Sequence, residues 1–213
     1  MSREYLPIDR LILSFDQALR TVFGRPLTTD RADPTDNLPE QVLSPDERQQ
    51  SARLMRVNHT GEVCAQALYQ GQALTAKLDA VRDAMDQAAR EENDHLAWCE
   101  RRTEALGGHT SYLNPLFYAG SFALGALAGA AGDKWSLGFV AETERQVVKH
   151  LDDHLKRMAE QDQKSRAILE QMKIDELQHG AAARNAGGAE LPAPVKQLMR
   201  AMSKVMTGTT YWI

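Results

Sequence analysis

Residues 92–95 read Glu92-Asn93-Asp94-His95, and the same Glu-x-x-His pattern returns at Glu176-Leu177-Gln178-His179. On a helix, side chains at i and i+3 stand about 60° apart on one face and can grip a single metal cluster. Taken singly, such a motif is more often two exposed residues sharing a weak hydrogen bond. Two further glutamates change the reading. Glu62 precedes Glu92 by 30 residues, and Glu144 precedes Glu176 by 32. Each interval carries the chain down one helix and back along the next, so the side chains can meet at one level. A carboxylate-bridged metal pair in a four-helix bundle requires this set: one Glu from each of two helices and Glu-x-x-His from the other two.

Helix phase gives a second, independent indication. At about 100° per residue, Glu144 shares its face with Val140, Val147, Val148, Leu151, Leu155 and Met158. A carboxylate within an apolar stripe is costly unless it is paired, protonated or bound to metal. Glu92 aligns with Met85, Ala88, His95, Leu96, Cys99 and Leu106, and Glu62 with Met55, Ala65, Tyr69 and Ala73. Glu142 is turned about 160° from Glu144 and reads as a solvated charge. Carboxylate-dominated sites with one imidazole per metal suit iron or manganese, whereas structural zinc favours Cys or more His. Four carboxylates also offset the charge of two divalent ions.

Outward from these motifs, the pattern is helical throughout and no stretch alternates as a strand would. Ser44-Pro45-Asp46-Glu47 opens a helix that the periodicity carries to about Leu78. A second runs from about Leu78 to Leu106, a third over 135–160 and a fourth over 163–186. A short amphipathic helix over 7–23 presents Ile8, Leu11, Ile12, Phe15, Leu19 and Val22, and a Pro- and Asp-rich linker follows, so residues 1–43 form a helix and linker ahead of the bundle. A last short helix carries Val195, Leu198, Met199, Met202 and Val205. One domain accommodates the full 1–213 chain.

Composition bounds the function. The chain is 43% hydrophobic and 25% charged with a net charge of −4 and no basic run, so nucleic acid is not an expected partner. Cys64 and Cys99 are too few for a disulfide scaffold and suit a reducing compartment. MSREYLPIDR lacks the apolar core of a signal peptide. The segment 110–132, TSYLNPLFYAGSFALGALAGAAG, holds 23 residues without a charge. It reads as a segment that dips into one leaflet or shields an apolar site, as buried core, or as a true span. Its Gly125-x-x-x-Gly129 also fits close helix packing.

The remaining candidates are single residues. His59 could stand beside the cluster or be a satisfied surface histidine. His150 and His154 fall off the Glu144 stripe and are expected at the surface or rim. Cys64 and Cys99 read as packed thiols and Tyr69 as a packed tyrosine, although Tyr69 could pass a proton or an electron near the site. His109, in a turn, has no role.

The run Arg56-Val57-Asn58-His59-Thr60-Gly61-Glu62, both Glu-x-x-His motifs, Glu144, Leu113-Asn114-Pro115-Leu116 and Tyr118-Ala119-Gly120-Ser121 together resemble the demethoxyubiquinone hydroxylase family. These are the 2-polyprenyl-3-methyl-6-methoxy-1,4-benzoquinol monooxygenases of ubiquinone synthesis. The resemblance covers nearly the whole chain. It implies an all-α, ferritin-like four-helix bundle with short flanking helices and a hydrophobic crossover. It further implies two Fe ions per chain and ring hydroxylation of a polyprenyl benzoquinol with O2. Glu62 and His95 would then be terminal ligands of one iron, Glu144 and His179 of the other, with Glu92 and Glu176 bridging. Membrane association on the cytoplasmic face and contact with other ubiquinone-synthesis enzymes belong to the same implication, while the electron donor stays open. Two rivals remain: another ferritin-like di-iron protein, a ferroxidase or rubrerythrin-like peroxidase, and a metal-free helical membrane adaptor.

Overall fold

Ser44 starts the first bundle helix with a reciprocal cap. Its side chain accepts from the Glu47 backbone N–H, while Glu47 reaches back to the Ser44 backbone, and Pro45 occupies the first turn. In the computed structural model, which describes residues 7–25, 27–29 and 31–213, the chain order is α1 (Pro7–Phe23), α2 (Pro45–Thr75), α3 (Asp79–Ala105), α4 (Asn114–Ala130), α5 (Asp133–Arg157), α6 (Gln163–Asn185) and α7 (Ala193–Thr210). No strand occurs among the described residues. The expected start of the chain at 1–6 and the Ile8 and Leu11 side chains lie outside them. Gly107 at φ +79° and Gly187 at φ +96° follow the last turns of α3 and α6, a conformation other residues adopt only with strain.

Helices α2, α3, α5 and α6 form the bundle, paired α2 with α3 and α5 with α6. Two apolar clusters of the core flank the predicted ligands, and a third, of Val63, Ala67, Leu96 and Tyr118, lies where α4 meets α2 and α3. Of the flanking two, one joins Leu54, Met55, Trp98, Cys99, Leu151, Leu155, Ile168 and Met172. The other joins Tyr69, Ala73, Val81, Met85, Leu137, Val140 and Ala183. On every bundle helix the predicted ligands fall between these clusters: Glu62 between Met55 and Tyr69, Glu92 between Met85 and Trp98, Glu144 between Val140 and Leu151, Glu176 between Met172 and Ala183.

The uncharged segment 110–132 is a helix of its own, α4, laid against α2. Among the described residues no helix is long and apolar enough to cross a membrane, which removes the span among its three readings. Its Gly125-x-x-x-Gly129 is a packing face. A Cβ at Gly125 would collide with the Leu68 carbonyl, and one at Gly129 with Thr75 and the Gln72 carbonyl. Thr60 Oγ1 donates to Asn114 Oδ1 at 2.9 Å and fixes the start of α4 on α2.

The apolar stripe of α1 differs from expectation. Val22 and Ala18 pack against the cluster of Val63, Ala67, Leu96 and Tyr118, as Phe122 of α4 does, but Ile12, Phe15, Leu19 and Phe23 face outward, as do Leu116 and Leu127 of α4. The bundle already fills its own core, so these residues have no interior to enter. Leu198, Met202 and Val205 of α7 are likewise exposed.

The α2–α4 contact predicts opposite outcomes at two glycines of α4. Gly125→Ala forces the helices apart and should lower stability by about 1–3 kcal/mol. Gly120 meets nothing within 4 Å, so Gly120→Ala should leave stability unchanged or slightly raised. Urea unfolding of both variants checks this.

Candidate metal centre

All six predicted ligands reach one layer of the bundle. Glu62, Glu92, His95 and Glu176 are buried and offer ligand atoms within 4.8 Å of one another. His95 Nδ1 lies 2.9 Å from Glu92 Oε2, 3.2 Å from Glu176 Oε1 and 3.5 Å from Glu62 Oε2. His179 Nδ1 lies 3.1 Å from Glu176 Oε2 and 3.3 Å from Glu92 Oε1. Glu92 and Glu176 thus each turn one oxygen toward each histidine. Glu62 joins the His95 side. Glu144, buried on α5, completes the other side, with its Oε1 accepting a 2.5 Å hydrogen bond from the Tyr69 hydroxyl.

The electrostatics of this layer call for a cation. Burial pushes the Glu62 carboxyl well up, and the Glu92 and Glu176 charges add to it. Burial and the charges of Glu176 and Glu92 do the same to Glu144. Burial also opposes charge on Glu92, but His95 and His179 outweigh it and hold that carboxyl well down. Both imidazoles are raised against their own burial. Glu92 leads at His95, while the hydrogen bond to Glu176 and the charges of Glu92 and Glu176 push His179 up to about 12. What favours a proton on each ring favours a divalent ion in its place. Glu92 Oε1, moreover, is buried without a hydrogen bond. An unsatisfied carboxylate oxygen in a dry core is costly unless an ion occupies its open side. The residues therefore fit a dinuclear, oxygen-rich metal site.

Several expectations need correction. Glu142 does point away from the cluster, but it is no solvated charge. It is buried and accepts from Arg145 at 2.6 and 2.8 Å and from Gln146 at 2.7 Å. His154 is not at the surface. It is buried against His150, with ring centroids 3.8 Å apart, and its Nδ1 pairs with Asn58 Oδ1 at 3.0 Å. Desolvation lowers His154 to about 2 and the half-buried His150 to about 4, so both rings are neutral. Helix phase alone missed this because residues off the Glu144 stripe of α5 are covered by α2. His59 is neither a surface residue nor in hydrogen-bond contact with the cluster. It is buried beside Asn114 at 3.4 Å, and burial lowers it to about 4. Tyr69 is packed, as expected, yet it also bonds a predicted ligand. Cys99 is core, 3.7 Å from Met172 Sδ. Cys64 is half-buried, and burial pushes its thiol up to about 11. His109 serves structure, accepting from Arg56 Nε through its carbonyl at 2.8 Å.

Sequence reasoning passed over Asp175 and Glu91. His95 Nε2 lies 2.9 Å from Asp175 Oδ2, and His179 Nε2 lies 2.7 Å from Glu91 Oε2. Each acid directly precedes the glutamate of a motif, so the available signal was a repeated acid-Glu-x-x-His. A narrow crease between α2 and α5, lined by Ala65, Leu68, Tyr69, Gln72, Phe139, Val140, Thr143 and Glu144, reaches the Glu144 side of the cluster.

Comparison with known proteins covers the stretch that carries these residues. The family model for ubiquinone biosynthesis protein COQ7 matches residues 49–210. The chain is 64% identical over 211 residues to the 3-demethoxyubiquinol 3-hydroxylase of Nitrosococcus oceani, covering 99% of each chain. It is 61% identical over 208 residues to the protein of that name from Nitrosomonas europaea, covering 98% of this chain and 100% of the relative. It is 60% identical over 211 residues to the one from Ectopseudomonas mendocina, covering 99% and 98%.

The raised groups set a pH dependence. In the metal-free protein, His95, His179, Glu62 and Glu144 all hold protons above their ordinary range, and metal must displace them. Affinity should therefore rise with pH, and anaerobic Fe(II) addition near pH 7 should release protons from both imidazoles and from Glu62 and Glu144, up to about four per chain. A pH indicator in weak buffer measures this; uptake without proton release would contradict it.

Proposed function

The chain belongs to the ubiquinone biosynthesis protein COQ7 family, and from that membership we propose that it is an O2-dependent hydroxylase of a demethoxyubiquinol ring acting at a two-iron centre. The observation that carries the metal reading is the pair Glu92 and Glu176, each offering one oxygen to each histidine. On this reading Glu62 and His95 hold one iron, Glu144 and His179 the other, and the two shared glutamates bridge. Iron bound there would supply two electrons to O2, which with two protons would leave one oxygen on the ring and the other as water. The protein supplies placement and a dry layer. Tyr69 holds Glu144 in place through its Oε1. Ala65, Leu68, Phe139 and Val140 give the crease apolar walls beside Glu144, but it is closed to a ring as it stands, so a quinol would enter there only if α2 and α5 part. Family membership favours this reading over iron storage or a peroxidase.

The test is turnover of a reduced demethoxyubiquinol by protein loaded anaerobically with Fe(II), with ring hydroxylation followed by mass spectrometry. The wild type is expected to hydroxylate the ring. Glu144→Ala should abolish product and lose iron. Glu142→Ala should keep both, at a stability cost of about 1 kcal/mol or less, because its partner Arg145 is solvated. Comparable iron loss in the two variants would contradict the ligand assignment.

The same proposal places the chain on the cytoplasmic face of the cell membrane. What supports this is the outward apolar surface of α1 and α4, where Phe15 is 66% exposed and Leu116 and Leu127 are each 68% exposed. Lying on the bilayer there gives a polyprenyl tail an apolar approach. Leu116→Glu and Leu127→Glu should each weaken vesicle binding by about tenfold, from the loss of on the order of 1.5 kcal/mol of leucine burial. Iron uptake should be unchanged, since neither residue is a ligand. Vesicle co-sedimentation and iron analysis read the two effects separately.

A further inference from the structure

We propose that the acid before each bridging glutamate positions the histidine of the opposite half, and that the linker after α1 tightens one of these clamps, so that the two metal positions release their ions at different rates. The inference rests on the two-iron reading above. An imidazole that ligates through Nδ1 keeps Nε2 for a second partner, and an acceptor there fixes the tautomer and the ring plane. Both Nδ1 atoms here face the glutamates. Both Nε2 atoms face an acid carried by the other motif helix, Asp175 of α6 for His95 of α3 and Glu91 of α3 for His179 of α6. The clamps cross between the helices, so each also ties one half of the centre to the other.

The two clamps are built differently. Asp175 is bonded by Arg31 Nη2 at 2.5 Å and Gln171 Nε2 at 3.0 Å. The Arg31 guanidinium lies over Trp98, 5.0 Å from its centroid, and the Trp98 ring stands 5.5 Å from that of His95. Two residues earlier, Thr29 donates to Asp94 from its backbone N–H at 2.8 Å and its hydroxyl at 2.5 Å. The linker is thus stitched across the His95 side by the ion pairs of Arg31 to Asp175 and to Asp94 and by the two Thr29 hydrogen bonds, and the His95 side chain is wholly buried. Glu91, by contrast, is held by Gln87 from its own helix, its side chain is 31% exposed, and His179 keeps 12% exposure. Water reaches the second clamp and competes for its hydrogen bonds, whereas the first is shielded. Arg31 and Asp175 are positioning residues for His95, and Glu91 is one for His179.

The test loads the full chain anaerobically with Fe(II), confirms the stoichiometry, and follows iron release into excess ferrous chelator by absorbance. The wild type should lose two irons in two phases of equal amplitude. Glu91→Ala should speed the fast phase about 10–100-fold and leave the slow one. Asp175→Ala should speed the slow phase by a similar factor and leave the fast one. Arg31→Gln should also speed the slow phase, by less, and Arg31→Lys should recover part of the difference. Arg31 lies in the linker, so its variants keep the test intact should Asp175→Ala fail to fold. Two irons leaving in one phase, or Glu91→Ala and Arg31→Gln acting on the same phase, would overturn this inference alone. Uptake of fewer than two irons by the wild type would overturn the two-iron reading and this inference with it.

Discussion

Four carboxylates and two imidazoles share one buried layer, and every other feature of the bundle answers to that concentration of charge. Without compensation, four negative groups in a dry core repel one another and cannot all ionise. The metal-free protein meets the constraint with protons, on Glu62, Glu144 and both imidazoles. Two divalent ions would meet it with a matching charge. The same groups that make the layer unfavourable as plain core make it suited to bound cations.

The apolar clusters on either side give the layer its precision. Leu54, Met55, Leu151, Ile168 and Met172 close one end, and Tyr69, Val81, Met85 and Val140 the other. Packing of this density fixes helix rotation, and helix rotation fixes which carboxylate oxygen faces which histidine. Helix α4 adds a third support, pressed on α2 through Gly71, Gly125 and Gly129. Because α2 carries Glu62 and Tyr69 together, a shift of α2 moves the layer and the wall of the crease at once.

Much of this was legible in the chain, because a helix converts spacing directly into direction. The intervals 62/92 and 144/176, together with the i, i+3 motifs, locate all six residues of the layer and separate Glu144 from Glu142. Contacts between helices were not legible in the same way. The burial of His154 depends on Asn58 of α2, and that of Glu142 on Arg145 and Gln146 beside α7. The reach of Asp175 and Glu91 to the opposite histidine depends on how α3 and α6 face one another. The linker over 24–43 was read from its prolines and aspartates as a connection. Its bonds from Thr29 and Arg31 join residues 65 and 144 positions apart, a relation no local pattern carries. Apolar periodicity also misled at α1, since an amphipathic stripe states that a face needs an apolar partner without saying that the partner is the protein's own core.

The account stands most directly on where iron sits. Anomalous diffraction at the iron edge from crystals of anaerobically loaded protein would locate it. Two peaks about 3.5–4 Å apart are predicted between Glu92 and Glu176, one beside His95 Nδ1 and Glu62, the other beside His179 Nδ1 and Glu144. A single peak in fully loaded protein, or iron bound away from these six residues, would contradict it.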